Sequence, residues 1–239
     1  MSALLLPLLF CGLLLPACAG YQRRSAPTED EFTRQRLRMV EQQLRDKGVR
    51  DKGVLAAMAK VPRHRFVPAE YLDSAYADHA LPLGLGQTIS QPFIVGYMTE
   101  AAQISAGEKA LEIGAGSGYQ AAVLGEIASA VYTIEIIPEL ARRAELTLKE
   151  LGYKNISVKV GNGWLGWPEH APFDAILVTA APDGIPNALI AQLARTGRMA
   201  LPVGTDYQEM VIITKTDKGA VERRTLPVRF VPMTGKPKN

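Results

Sequence analysis

Leu111-Glu-Ile-Gly-Ala-Gly-Ser-Gly-Tyr119 decides how the rest of the chain is read. Lys109 to Ile113 is a short apolar run of the kind that forms a buried strand, and Tyr119 to Ser129 reads as a helix. Glycines at every second position between them mark a tight strand-to-helix turn, where backbone can approach a ligand closely. The dinucleotide fingerprint G-x-G-x-x-G is not met, because Tyr119 stands at its last glycine.

Downstream, strand and helix alternate with short turns. Val131 to Glu135, Ile156 to Val160, Asp174 to Thr179 and Arg198 to Pro202 read as strands. Pro138 to Leu151 and Pro186 to Arg195 read as helices, the first with proline at its start and the second stopped by Gly197. Met210 to Lys215 and Val221 to Arg229 read as a closing antiparallel pair. This pattern predicts an α/β fold: a doubly wound, mostly parallel seven-stranded sheet with C-terminal antiparallel strands.

Upstream, Phe32, Leu37, Val40 and Leu44 have helical spacing within Glu31 to Lys47, and Gly48 is a stop. Asp51 caps a second helix, Lys52 to Lys60, and Pro62 to Pro68 is expected to be extended. Pro92 suits the first turn of a helix with Phe93, Tyr97, Met98 and Ala101 on its apolar face. The expected organisation is a leader at 1–20, a linker at 21–30, a helical, substrate-side region at 31–107 and the sheet core at 108–239.

The leader has an apolar run, Leu4 to Leu15, too short and broken for a comfortable membrane span but of the length of a secretion signal. Leu15-Pro-Ala-Cys18 resembles a lipoprotein processing site, although no Lys or Arg precedes the run and Arg23 and Arg24 follow it. A misassigned start is the competing reading. The cysteines are Cys11 and Cys18, so the chain after residue 18 has no disulfide framework, thiol nucleophile or cysteine metal site. The net charge of +3 argues against a nucleic-acid partner. The three histidines, His64, His79 and His170, are scattered, and no metal site is expected.

Glu112-x-Gly114-x-Gly116-x-Gly118 resembles the first motif of S-adenosylmethionine-dependent methyltransferases. Glu135, twenty-one residues after Gly114, ends the second strand, where a carboxylate in such folds reaches both ribose hydroxyls. At the end of the third strand stands Gly161-Asn-Gly-Trp164; many of these enzymes have an acid at Asn162 that accepts from the adenine amino group. An amide oxygen accepts the same bond without charge assistance, so weaker cofactor binding is expected.

From about Phe32 to Gly235 the chain resembles the protein-L-isoaspartate O-methyltransferase family. The resemblance rests on Met39-Val-Glu-Gln-Gln-Leu44, Val61-Pro-Arg-His-Arg-Phe-Val-Pro68, Gly86-Gln-Thr-Ile-Ser-Gln-Pro92, Leu111 to Gln120, Phe173 to Ala181, Gly197 to Gly204 and Arg229 to Thr234. The Gly86 to Pro92 segment is the most particular of these. The resemblance implies a Rossmann-like fold and S-adenosylmethionine as cofactor, bound by Thr88, Glu112, Gly114, Gly116, Gly118, Glu135, Asn162, Gly163 and Thr234. It implies Ser90 as the active-site serine, with Thr88, Ser90 and His64 facing the substrate. The Thr88 to Ser90 segment is expected at a helix N-terminus, where free N–H groups favour an anion. The implied partners are damaged proteins and peptides carrying L-isoaspartyl residues, with membrane attachment only if Cys18 is lipidated. Two readings stay open: a methyltransferase with another acceptor, and a non-catalytic envelope lipoprotein that kept the fold. Cofactor supply and the resemblance favour the cytoplasm; the leader leaves export as the alternative.

Overall fold

A computed structural model describes residues 27–237. The leader at 1–20, with Cys11 and Cys18, and most of the linker lie outside the described residues.

The first helix, α1 (Glu29–Met39), opens with a reciprocal cap. Thr28 Oγ1 accepts from the Glu31 N–H at 3.3 Å and Glu31 Oε2 accepts from the Thr28 N–H at 2.6 Å. It runs on through Val40–Arg45 with π geometry, so the helix expected to reach Lys47 stops two residues early. Asp51 caps α2 (Lys52–Lys60) as expected, its Oδ1 accepting from the Val54 N–H. Arg63–Phe66 forms a 3-10 turn rather than extended chain, closed by the Arg65 N–H on the Pro62 carbonyl.

A hairpin follows, formed by β1 (Leu81–Gly84) and β2 (Gln87–Ile89). It corrects the expectation that Thr88 and Ile89 lie at a helix N-terminus. Leu85 and Gly86 turn the chain at φ +54° and +72°, and strand pairing continues to Ile89. Only then does α3 (Pro92–Ala102) begin, with Gln91 at its cap and no side-chain cap.

The main sheet comprises β3 (Lys109–Ile113), β4 (Ala130–Glu135), β5 (Ile156–Val160), β6 (Phe173–Val178), β7 (Leu193–Val203), β8 (Gln208–Thr216) and β9 (Gly219–Val228). Their order is β5-β4-β3-β6-β7-β8-β9. The first five strands are parallel, and β8 and β9 add antiparallel to β7. Between them run α4 (Tyr119–Gly125), α5 (Pro138–Glu150) and α6 (Asn187–Gln192). Alternation places residues on opposite faces. Ala110, Ala175, Leu177, Ala200 and Ile212 join one core with the N-terminal helices, α3 and α4. Leu111, Ile113, Ile176, Val178, Met199 and Val211 join the other with α6.

Two expected helices are shorter than their patterns. Helix α4 stops at Gly125, where an added Cβ would lie 2.8 Å from Ile156 Cδ1. Helix α6 stops at Gln192, whose side chain bonds the Leu165 carbonyl and the Trp167 N–H, each at 2.8 Å. Leu193 is then free to pair with Phe173 as the first residue of β7.

Candidate active site

The chain order reverses around β3: β4 lies on one side and β6 on the other. In open parallel sheets, ligands bind outside the carboxyl ends of strands at such a point. A cleft opens there, lined by Ile113, Gly114, Gly116, Glu135, Gly163 and Thr179 among others.

The glycine turn builds its floor. Gly114, Gly116 and Gly118 have φ of +97°, +53° and +87°, conformations that favour glycine. A Cβ on Gly114 would lie 2.6 Å from Thr179 Oγ1, and one on Gly163 would lie 2.3 Å from Ile113 Cγ2. Glu135 is 5% exposed. Its Oε2 accepts from the Gly116 N–H and its Oε1 from the Ile137 N–H, both at 2.9 Å. The carboxylate is locked against the turn, and each oxygen keeps a lone pair for a ligand hydroxyl.

Two further spaces adjoin the cleft. A small pocket contains Thr88, Ser90, Glu112, Gly116 and Gln120 in its wall. A wider groove is lined by Asp78, His79, Thr88, Ser90, Arg229 and Phe230, among others. Thr88 and Thr179 border all three spaces, and Ser90 borders both the pocket and the groove. These side chains therefore stand at the junction between the cleft at the strand ends and an open groove.

The polar segment Gln87 to Gln91 is pinned by its neighbours. Gln91 Nε2 donates to the Asp78 carbonyl at 3.0 Å and to its Oδ1 at 2.9 Å. Arg63 Nη2 donates to the Ser90 carbonyl at 2.8 Å. Thr179 Oγ1 shares its proton between the carbonyls of Ile113 and Gly114, at 3.0 and 2.7 Å, tying the end of β6 to the glycine turn.

Glu112 is fully buried and accepts from Thr133 Oγ1 at 2.6 Å through Oε2. Its Oε1 has no partner among the described residues, nor does the Oε1 of Gln120. Burial pushes the Glu112 carboxyl up to about 8, with the nearby Glu135 adding to the shift against the Thr133 bond. Two unpartnered polar oxygens beside a glycine cradle and a ribose-ready carboxylate fit the polar methionine end and the hydroxyls of S-adenosylmethionine.

Of the residues singled out in the sequence, Thr88, Gly114, Gly116, Glu135, Gly163 and Thr234 line the cleft. Gly118, Asn162 and His64 are not among the lining residues. Gly118 turns the chain into α4, its Cα side facing Ala144 and Leu148. Asn162 Oδ1 accepts from the Trp164 N–H at 3.0 Å, and its Nδ2 donates to the Gly235 carbonyl at 2.6 Å. His64 lies under α1, stacked on Phe32 at 4.1 Å between centroids, with Nδ1 2.8 Å from Tyr76 Oη. The histidine lining the groove is His79. Thr179 was not singled out in the sequence; its only local signal is its place at the end of a buried strand.

Among the described residues no group of three His, Cys, Asp or Glu side chains could hold a metal ion. None of their helices is long and apolar enough to cross a membrane.

Comparison with known proteins agrees with this geometry. Residues 34–238 match the family model described as protein-L-isoaspartate(D-aspartate) O-methyltransferase. A Gloeobacter violaceus protein-L-isoaspartate O-methyltransferase is 63% identical over 82% of this chain and 97% of its own. An Anaeromyxobacter protein-L-isoaspartate O-methyltransferase 2 is 50% identical over 96% of both. A solved protein-L-isoaspartate O-methyltransferase superposes with a TM-score of 0.77 at 27% identity, covering 85% of this chain and 66% of that one. A Plasmodium falciparum structure holding S-adenosyl-L-homocysteine shares the fold, with a TM-score of 0.73 at 23% identity over 83% of this chain and 98% of that one. The chain belongs to the protein-L-isoaspartate(D-aspartate) O-methyltransferase family.

Proposed function

We propose that the chain methylates the free α-carboxylate of L-isoaspartyl residues, with Ser90 and Thr88 holding that carboxylate where the groove meets the cofactor cleft. The observation that carries this assignment of roles is the junction itself: Thr88 borders the cleft, the pocket and the groove, and Ser90 borders the last two. The enzyme is an S-adenosylmethionine-dependent carboxyl O-methyltransferase acting on damaged proteins and peptides.

Bound S-adenosylmethionine supplies a methyl group on a positively charged sulfur. The chain's own residues orient the partners. Glu135 accepts from the ribose hydroxyls while the Gly116 and Ile137 N–H groups hold it still. Gly114, Gly116 and Gly163 let the backbone approach closely. Glu112, Gln120 and Thr234 complete the wall.

An α-carboxylate is ionised near neutrality, so no general base is required. This suits a junction built from hydroxyls. Catalysis then rests on bringing a carboxylate oxygen about 3 Å from the methyl carbon and in line with the breaking bond. Ser90 Oγ has no partner among the described residues in the hydrogen-bond network and is free to donate to the second oxygen. The reacting oxygen loses charge in the transition state, so donors on it would favour the ground state. The methyl ester leaves the site. The following backbone nitrogen then attacks the ester carbonyl, expels methanol and gives a succinimide, which water opens partly to normal aspartate.

Ser90→Ala tests the assignment. It should lower kcat/KM for an isoaspartyl peptide roughly 100-fold, the loss of one positioned donor. Affinity for S-adenosylhomocysteine should stay within twofold, on the order of 0.4 kcal/mol. Unchanged turnover would remove Ser90 from the site.

The cytoplasm is the compartment we favour, because S-adenosylmethionine is made there. Cell fractionation should find most of the protein in the soluble fraction; a processed, lipid-bearing envelope form would reverse this.

A further inference from the structure

Arg63 is a costly side chain to bury. It is 0% exposed, and a buried guanidinium ordinarily needs a carboxylate beside it. Among the described residues it forms no ion pair. Its Nε donates to the Ala75 carbonyl and its Nη2 to the Ser90 carbonyl, each at 2.8 Å, and its Nη1 has no partner. The guanidinium lies 4.8 Å from the Tyr119 ring centroid, and Tyr119 lines the same small pocket as Ser90 and Glu112. The cation therefore sits directly behind the pocket wall, one backbone carbonyl from Ser90. Burial draws its pKa below the usual arginine value, and the groups that offset this in part are Tyr119 and Tyr76 rather than a carboxylate.

The geometry points to Arg63 as a positioning residue whose unpaired, buried charge selects an anionic acceptor at Ser90. This inference rests on the proposed role of Ser90. The isoaspartyl carboxylate is then the counter-ion that the fold omits. It does not touch the guanidinium; it is attracted through a wall of low dielectric, where charge is screened little. The same hydrogen bond fixes the Ser90 backbone, so one side chain sets both the position of the serine and the sign of charge it receives. An alternative source of positive charge is Arg229, which lines the groove but is exposed. Salt would screen Arg229 strongly and Arg63 weakly.

The test uses full-length enzyme saturated with S-adenosylhomocysteine and two peptides, one isoaspartyl and one with that carboxylate replaced by a carboxamide. Calorimetry on the unaltered enzyme should show a preference for the carboxylate on the order of tenfold. That preference should change less than about twofold when salt rises from about 0.05 M to about 0.5 M. Arg63→Met should abolish it by weakening the carboxylate peptide about tenfold more than the carboxamide peptide, with the cofactor product bound as before. Arg63→Lys, which keeps the charge, should retain most of it. Equal weakening of both peptides by Arg63→Met would make Arg63 a scaffold only and overturn the inference. Loss of preference in Arg63→Lys would overturn it too, and so would its collapse in high salt; both readings stand even if Arg63→Met does not fold. If the unaltered enzyme shows no carboxylate preference and Ser90→Ala changes neither peptide, the acceptor site itself has been misplaced.

Discussion

Glu112 carries a testable consequence of its burial. An unfolded glutamate loses its proton near 4.5, whereas in the folded chain it holds on to about 8. Between these values the folded state binds more protons than the unfolded state, so stability falls as pH rises through that window. Glu112→Gln keeps an acceptor for Thr133 Oγ1 and removes the titration. Urea unfolding of both proteins between about pH 5 and 8 should show the wild type losing stability relative to the variant. Parallel curves would mean that Glu112 is ionised in the fold throughout. At this scale the sequence was informative wherever a role follows from local spacing. Glu135 could be placed because a fixed strand–turn–helix–strand unit separates it from Gly114. Arg63 and Thr179 could not be assigned their contacts. One reaches Ser90 across 27 positions and the other reaches the glycine turn across 65 and 66, and such distances appear only when the chain has folded.

Asn162 shows what elements add to residues. Read from the strand alone, it is an adenine acceptor weaker than an aspartate. In the fold it caps the 3-10 turn Gly163–Leu165 and clasps the C-terminal segment, with Trp164 Nε1 donating to the Thr234 carbonyl at 3.1 Å. That segment, Val231 to Thr234, forms one wall of the cleft. Its edge pairs with Ala181 through the Ala181 N–H on the Val231 carbonyl and the Met233 N–H on the Ala181 carbonyl, at 2.8 and 2.7 Å. The two roles make opposite predictions for Asn162→Asp. An adenine acceptor gains from charge, so S-adenosylhomocysteine would bind more tightly. A clasp loses its donor and sets a carboxylate against the Gly235 carbonyl, at a cost of about 1–3 kcal/mol. We expect the second result: faster release of S-adenosylhomocysteine, by roughly tenfold in stopped flow. Slower release would restore Asn162 to the adenine site. The hairpin of β1 and β2 was also hidden from the sequence, because its three- and four-residue strands are too short for alternation to register, and a proline that begins a helix stands just beyond. The early start of β7 was hidden for another reason: Gln192 ends α6 through bonds to Leu165 and Trp167, distant in sequence.

Across the whole molecule, the sheet was legible, since seven strands with short turns allow few parallel arrangements; its strand order and switch point came only with the fold. The order β5-β4-β3-β6-β7-β8-β9 sets Glu135, the glycine turn and Thr179 on adjoining strand ends. The N-terminal region then brings the Ser90 segment over that point, held by Arg63 and Gln91. Both halves are needed: one makes a cofactor cleft and the other gives it an acceptor. The most direct measurement is methyl transfer from labelled S-adenosylmethionine to two peptides differing only in one residue, L-isoaspartate or normal aspartate. A chain beginning at Pro27 retains every element described above. The account predicts base-labile label on the isoaspartyl peptide, a succinimide and aspartate following from it, and none on the normal peptide. Equal labelling of both peptides, or none of either with S-adenosylhomocysteine still bound, would contradict it.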